Sequence, residues 1–242
     1  MRDVLYLELA TAGRHRSLEE ASLDYQRLWG DWNAWREEEV AYDRSALYAE
    51  FGRIVGMSLG YHLGDGVQEE FRISSWVGDE VAILGEFLRV VDSLSKAKSG
   101  LRICSHNGKS FDFPYLAKRL VANGLAIPPV MNIAGMKPWA LPHLDTLELW
   151  RHGAGRRSYV GLELLALTLG IDLPYAWMEG RDVHSRFWSG EREEWERIGR
   201  QGGLEVYLTA QVLRRLEGQA SIDRQKVRMR LRIMDDDSAK CA

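Results

Sequence analysis

Strand-like and helix-like segments follow one another along this chain in an order that few folds accommodate. A short apolar run with aromatic content, Val4 to Leu9, predicts a buried first strand. Gly52 to Gly64 and Glu69 to Val77 predict an antiparallel hairpin, and Leu101 to Cys104 predicts another short strand. Helical periodicity follows the hairpin and the last of these strands. With 242 residues, the chain is therefore expected to be one mixed α/β domain.

The sequence predicts the structure of four further segments. A helix is expected near Asp79, and a second one after Asp112, ending at Gly124. The stretch "HLDTLELW", His143 to Trp150, is compatible with a strand or a short helix. The last helix is predicted over Leu204 to Leu216.

A charged helical segment lies between the first strand and the hairpin, at about residues 17–50. Trp29, Trp32 and Trp35 recur there at a spacing that places them near one helical face. This stripe is expected to pack on the core or on a partner protein, and base stacking is the alternative.

The C-terminal part of the chain is locally basic. Seven basic and two acidic residues lie between Arg214 and Arg232, although the whole chain has a net charge of -3. In "KVRMRLRI" apolar residues alternate with Arg228, Arg230 and Arg232, which predicts a strand with one apolar and one basic face. The arginines could protect an edge strand from aggregation, or they could contact phosphate or an acidic partner.

The overall charge and hydropathy restrict the possible partners. The net charge of -3 gives no global basic field, so nucleic-acid contacts must depend on local patches. No apolar run is long enough to span a membrane, and the N-terminus does not read as a signal peptide. The sequence therefore predicts a cytoplasmic protein with no membrane partner.

The stretch "HNGKSFDFPYLAKR", His106 to Arg119, resembles the second motif of the DEDD (DnaQ-like) 3′-to-5′ exonucleases. It is most similar to the bacterial group related to the exonuclease domain of family B DNA polymerases. Four other stretches match that group in the right order: "EFGRIVGMSLGY", "HLDTLELW", "EGRDVHSRFWSGE" and "VYLTAQVLRRL". The resemblance implies a ribonuclease H-like fold, a mixed sheet flanked by helices. The exonuclease-like domain would cover 1–216, with the helical insertion at 17–50, and 217–242 would form a basic extension and tail.

The family's chemistry uses two divalent metal ions held by carboxylates, because hard oxygen ligands position the water and stabilise the leaving oxygen. Its ligands are a DxE pair on the first strand, an aspartate after the second-motif loop and an aspartate on the last helix. A tyrosine four residues before that last aspartate orients the water.

Transferred to this chain, the pattern is incomplete. Glu8 takes the first position, Ala10 replaces the second acid, and Asp112 matches. Tyr207 takes the tyrosine position as a vestige, and the neutral Gln211 replaces the last aspartate. Glu8 and Asp112 would then hold metal weakly or not at all, so no cofactor is expected, with Mg²⁺ or Mn²⁺ only if residual activity exists.

Four other acids are candidates for a replacement ligand. Glu148 and Asp145 are expected to flank the site and not to enter it, and Asp3 lies at the far end of the first strand. Glu205 precedes Gln211 by six residues and is therefore expected to point to a different helical face.

Several polar side chains could still hold the end of a nucleic-acid strand. They lie in the second-motif loop and in a later basic loop, and they are His106, Asn107, Lys109, Arg151, Arg156 and Arg157. Each also has a structural interpretation, as a turn or capping group or as solvated surface.

Three hypotheses follow. In the first, the chain is a pseudo-exonuclease that binds DNA or RNA, a partner protein, or both. In the second, it is an active metal-dependent exonuclease that uses Glu8, Asp112 and further ligands. In the third, it is purely an interaction module that docks through residues 17–50 or 214–233.

Overall fold

The architecture was analysed in a computed structural model that describes residues 3–64, 69–98, 100–154, 158–173, 178 and 180–235. Six strands form one sheet in the order β5-β4-β1-β2-β3-β6. The strands are β1 (Val4–Gly13), β2 (Gly52–Leu63), β3 (Glu70–Gly78), β4 (Arg102–Ser105), β5 (Leu144–Asp145) and β6 (Val227–Met234). The described α-helices are α1 (Leu23–Asn33), α2 (Glu80–Ala97), α3 (Asp112–Ala122), α4 (Thr146–Arg151), α5 (Leu162–Thr168), α6 (Val183–Trp188) and α7 (Arg192–Leu216).

The strand directions confirm the fold expected from the sequence. β1, β2 and β3 form an antiparallel meander, and β4 and β5 continue the sheet in parallel with β1. This is the mixed sheet of a ribonuclease H-like fold. The segment "HLDTLELW" contains both alternatives considered for it, since β5 ends at Asp145 and α4 begins at Thr146.

Alternation along β1 separates the two faces of the sheet. Leu5, Leu7 and Leu9 pack in the same cluster as residues of α2 and α3. Val4 and Tyr6 pack instead against α7. Because side chains alternate between faces along a strand, Glu8 and Ala10 lie on the α7 face.

Helix α7 begins twelve residues earlier than predicted, because it continues through Gly199, Gly202 and Gly203. Glycines weaken a helix by about 1 kcal/mol each, so the sequence suggested a break. Here they permit close contact with the sheet. A Cβ on Gly202 would lie 2.7 Å from Ser58 Oγ, and one on Gly203 would lie 3.0 Å from Met229 Cε.

The insertion forms an aromatic cluster on the body of the protein. Trp29 is 3% exposed and stacks on Trp32, and both rings contact Phe51. The predicted stripe is wrong for Trp35, which follows the end of α1 at Asn33 and is 90% exposed.

The C-terminal extension adds a strand to the same sheet. β6 pairs in parallel with β3 and forms the edge of the sheet, as its alternating pattern indicated. None of the helices in the described ranges is long and apolar enough to cross a membrane.

Candidate active-site cleft

Glu8 and Glu205 meet across a small cleft between β1 and α7. The cleft has a volume of about 210 Å³, and both acids line it. Their carboxyl groups share a hydrogen bond, and the pKa of each is raised, mainly by burial. Two carboxyl groups that share a hydrogen bond must hold a proton between them.

Asp112, the first residue of α3, is the third acid of this group. Its side chain is buried, and its negative charge acts on that of Glu8. Burial raises the pKa of Asp112 to about 7, although a hydrogen bond from Ser105 opposes the shift. Among the described residues, Asp112 Oδ1 has no hydrogen-bond partner.

Burial has the same effect on the other two acids. It is the main cause of the raised pKa of Glu8, and the charges of Glu205 and Asp112 add to it. Burial also raises the pKa of Glu205, despite its hydrogen bonds with Gln201 and Glu8. The cleft therefore binds protons more tightly than three separate carboxylates would.

Ala10 lies on the apolar side of the cleft. It packs with Val183 and Ile198, and a Cβ on Gly56 would lie 3.1 Å from the Ala10 Cβ. Leu47 and Phe111 also line this side. The position where the resemblance expects the second acid is thus surrounded by hydrocarbon.

As expected, Glu205 and Gln211 point to different sides of α7, but it is Glu205, and not Gln211, that lies against Glu8. Glu205 lies against Glu8 because α7 crosses directly over β1 at this point. Gln201, one turn earlier, donates a hydrogen bond of 2.8 Å from its amide to Glu205. Gln201 and Glu205 have the same i, i+4 spacing that was attributed to Tyr207 and Gln211.

Gln211 and Tyr207 have a structural role on another side of α7. The Gln211 amide donates to Tyr207 Oη at 2.6 Å and to the Ile222 carbonyl at 3.2 Å. The Ile222 N–H donates back to Gln211 at 2.9 Å. These contacts fix the chain after α7, where it turns toward β6.

The second-motif loop is held by Asp145. The carboxylate of Asp145 accepts hydrogen bonds from the backbone N–H groups of Asn107 and Lys109, at 2.9 and 3.0 Å. It also caps α4 by accepting from Leu147 and Glu148. Asn107 has a φ of 64°, so this tight turn depends on the anchor that Asp145 supplies.

The polar residues of that loop are occupied by contacts within the protein. His106 bridges Thr146 Oγ1 and the Val160 carbonyl, each at 2.9 Å. Lys109 pairs with Glu148 at 2.6 Å. Arg151 donates to the Ser158 carbonyl at 3.1 Å, and Arg156 and Arg157 lie outside the described residues.

Sequence reasoning also missed Tyr159, an exposed residue in the segment before α5. Burial of its hydroxyl group raises the pKa of Tyr159, and the charges of Glu8 and Glu205 raise it further. A phenol therefore lies within electrostatic reach of the two acids. No sequence signal marked it, because the residue belongs to a loop without a motif.

The donor set does not fit the two-metal site that the resemblance implies. Within the described residues there is no group of three or more His, Cys, Asp or Glu side chains arranged to hold a metal ion. Ala10 supplies no oxygen at the position of the second acid, and Gln211 supplies no carboxylate at the position of the last aspartate.

Comparisons with known proteins support the fold. No protein-family model and no curated protein matches the chain. A solved structure of a family B DNA polymerase from the hyperthermophilic archaeon Pyrobaculum calidifontis is similar, with a TM-score of 0.50 and 13% sequence identity. The match covers 87% of this chain and 24% of the polymerase, so the chain spans about a quarter of the polymerase's length.

Proposed function

We propose that this chain is a nucleic-acid-binding protein with the fold of a 3′-to-5′ exonuclease and with absent or strongly reduced phosphodiesterase activity. The observation that carries the proposal is the incomplete donor set of the cleft, in which Glu8 lies against Glu205 and Ala10 supplies no oxygen. Losing the stabilisation from one metal, several kcal/mol, slows phosphodiester cleavage by orders of magnitude.

Two of the substitutions reinforce this argument. Ala10 removes an anionic ligand and packs with Val183 and Ile198. With Glu205 in the position of the last-helix aspartate, Gln201 takes the position of the water-orienting tyrosine, and its amide is already bonded to Glu205.

The same features favour binding of a polyanion. The raised pKa of Glu8 and the pKa of about 7 for Asp112 reduce the negative charge of the cleft near neutral pH, compared with carboxylates in water. Phosphate is repelled less by such a cleft than by three ionised carboxylates. The similar solved structure is that of a DNA polymerase, which supports nucleic acid as the class of ligand.

A second candidate function, an active exonuclease, is favoured by the position of Glu205. This acid was not expected at the cleft, and with Glu8 and Asp112 it brings the number of carboxylates there to three. Magnesium is commonly held by one or two carboxylates together with waters and substrate phosphates, so a group of three acids arranged around the ion is not required.

A single assay separates the two functions. A 5′-labelled single-stranded oligonucleotide is incubated with the protein in millimolar Mn²⁺, in parallel with the Asp112→Asn variant. We expect the oligonucleotide to be bound and to keep its length with both proteins. A ladder of shortened products that disappears with Asp112→Asn would establish the active enzyme. If the oligonucleotide is not bound even at low salt, the chain acts as a protein-interaction module.

A further inference from the structure

A row of arginines covers one edge of the sheet. It consists of Arg72 on β3 and Arg228, Arg230 and Arg232 on β6, and we refer to it as the arginine row. Arg228, Arg230 and Arg232 are exposed, and the Arg72 side chain is 43% exposed. The four residues cover a surface that the site described above does not include.

The strand register puts these side chains on one face. Arg72 pairs directly with Arg228, and Ser74 and Trp76 pair with Arg230 and Arg232. Residues two apart on a strand point to the same side and are about 6.6 Å apart. The three arginines of β6 therefore form a straight line of charges at a regular interval, and Arg72 lies beside one end of it.

The arginine row lies on the opposite face of the sheet from the cleft. The alternate residues of β6 face α7, since a Cβ on Gly199 would meet Leu231 and one on Gly203 would meet Met229. Met234, in phase with the arginines, packs instead with the cluster that includes α2. A ligand on the arginine row would thus not enter the cleft.

The positive charge of the row is only partly neutralised. Glu70 lies 3.6 Å from Arg72 and 3.6 Å from Arg228, at one end of the row. Among the described residues, Arg230 and Arg232 have no ion pair and no side-chain hydrogen-bond partner. The middle and the far end of the row are therefore open to an anion.

Arginines elsewhere on the surface are arranged differently. On α7, Arg197 pairs with Glu193, and Arg200 pairs with Glu196, each one helical turn away. Protection of an edge strand requires only a single charged residue pointing inward or a short strand. Three arginines in line, of which two have no ion pair within the described residues, exceed that requirement.

We propose that the arginine row binds the phosphate backbone of single-stranded nucleic acid. The guanidinium group binds phosphate through two parallel hydrogen bonds, and a polynucleotide presents its charges in a regular line, as the row does. An acidic protein segment presents carboxylates at less regular positions. The proposal takes its ligand class from the proposed function but places the contact on a different surface.

Fluorescence anisotropy of a labelled oligothymidylate tests this proposal. Binding to the full chain is measured in EDTA over a series of salt concentrations, for the wild type and for Arg230→Ala/Arg232→Ala. We expect the double variant to lose roughly tenfold in affinity per lost phosphate contact at about 50 mM salt, and the salt slope to fall by about 0.7 per contact.

The control variant, Arg27→Ala/Arg197→Ala, removes the same charge from two exposed arginines elsewhere on the surface. We expect it to bind as the wild type does. If the double variant does not fold, Arg230→Gln carries the same prediction with half the change in slope. Arg230→Lys/Arg232→Lys should retain the salt slope.

Three results would overturn the proposal. One is an oligonucleotide affinity that is unchanged in Arg230→Ala/Arg232→Ala, and another is an equal loss in the control variant. The third is stronger competition by polyglutamate than by unlabelled oligothymidylate of equal charge, which would assign the row to an acidic protein. Binding that persists without the row would leave the proposed function intact, whereas no binding by the wild type would remove both.

Discussion

The buried carboxylate of Glu80 and the carboxylates of the cleft differ in how their oxygens are satisfied. Glu80, at the start of α2, accepts two hydrogen bonds from Arg119 at 2.9 and 2.6 Å and one from the Ile54 N–H at 2.7 Å. In the cleft, Glu8 and Glu205 bond to each other, and Asp112 Oδ1 has no partner among the described residues.

The difference distinguishes a carboxylate that stabilises the fold from carboxylates that belong to a candidate functional site. A buried charge is tolerated where the protein pairs it, as at Glu80, and such a pair is costly to break. Unpaired acids in a cleft cost stability and are typical of functional sites, because their ligand lies outside the chain. The cleft keeps this signature, although two of its positions no longer match the chemistry of the family that it resembles.

The largest expected effect on stability comes from breaking the ion pair between Glu80 and Arg119. Arg119→Ala leaves Glu80 buried without its cation, so we expect a loss of about 3–5 kcal/mol in the free energy of unfolding. Urea denaturation measures it. Arg197→Ala, at an exposed pair, should cost less than about 1 kcal/mol. Equal costs for the two variants would remove the distinction between the two carboxylate groups.

Because of the acids in the cleft, the free energy of unfolding should fall as the pH rises. Burial raises the pKa of Asp112 from 3.8 to about 7, and the pKa values of Glu8 and Glu205 are also raised. The folded state therefore holds these protons more tightly. The stability that these bound protons contribute is fully present below the pKa of the carboxyl group in the unfolded chain. It is lost as the pH rises through about 7, the pKa of Asp112 in the folded protein.

We expect the free energy of unfolding to fall by about 2 kcal/mol between about pH 5 and pH 8 because of Asp112. Urea titrations at the two pH values measure the change, and Asp112→Asn should flatten it. A protein that is more stable at the higher pH would contradict the assignment of these acids.

Gln211 is expected to contribute to the stability of the fold and not to metal binding. Gln211→Ala removes the contacts to Tyr207 and Ile222 and leaves a buried N–H group unpaired. We expect a loss of about 1–2 kcal/mol in the free energy of unfolding. The affinity for Mn²⁺, measured by calorimetry, should not change. A Gln211→Asp variant that gains metal affinity would restore the original alignment.

The smallest expected effect comes from Glu205→Gln. Because this substitution removes a charge that has no cation beside it among the described residues, we expect the free energy of unfolding to stay the same or to rise by up to about 1 kcal/mol at about pH 8. Chemical denaturation measures it. A loss of more than about 2 kcal/mol would mean that Glu205 is a structural acid of the Glu80 type.

Most of the fold was predictable from local patterns. The alternation in β6, the hairpin of β2 and β3 and the position of Asp112 at the start of α3 each depend on residues close together in the sequence. The start of α7 was not predictable in this way. Three glycines within five residues normally indicate that a helix is interrupted. Here they allow α7 to lie close to β2, β3 and β6, which are distant in sequence.

The candidate site was predictable only in part, for the same reason. Glu8, Ala10 and Asp112 lie in short segments whose patterns identify them. The partner of Glu8 on α7 could be assigned to two pairs with the same spacing, Tyr207 with Gln211 or Gln201 with Glu205. Only the packing of α7 on β1 decides between them, and it selects the pair that resembles the family less by residue type.

The most direct test of the account is Mn²⁺ binding, measured by calorimetry, before and after restoration of the ligands. We compare the wild type with Glu8→Asp/Ala10→Glu/Glu205→Asp and with a matched variant in which Gln211→Asp replaces Glu205→Asp. We predict weak or no binding by the wild type, a gain of bound ions in the first variant and no comparable gain in the second. Tight binding of two Mn²⁺ ions by the wild type, or a larger gain of bound ions in the variant with Gln211→Asp, would contradict the assignment of Glu205 to the cleft.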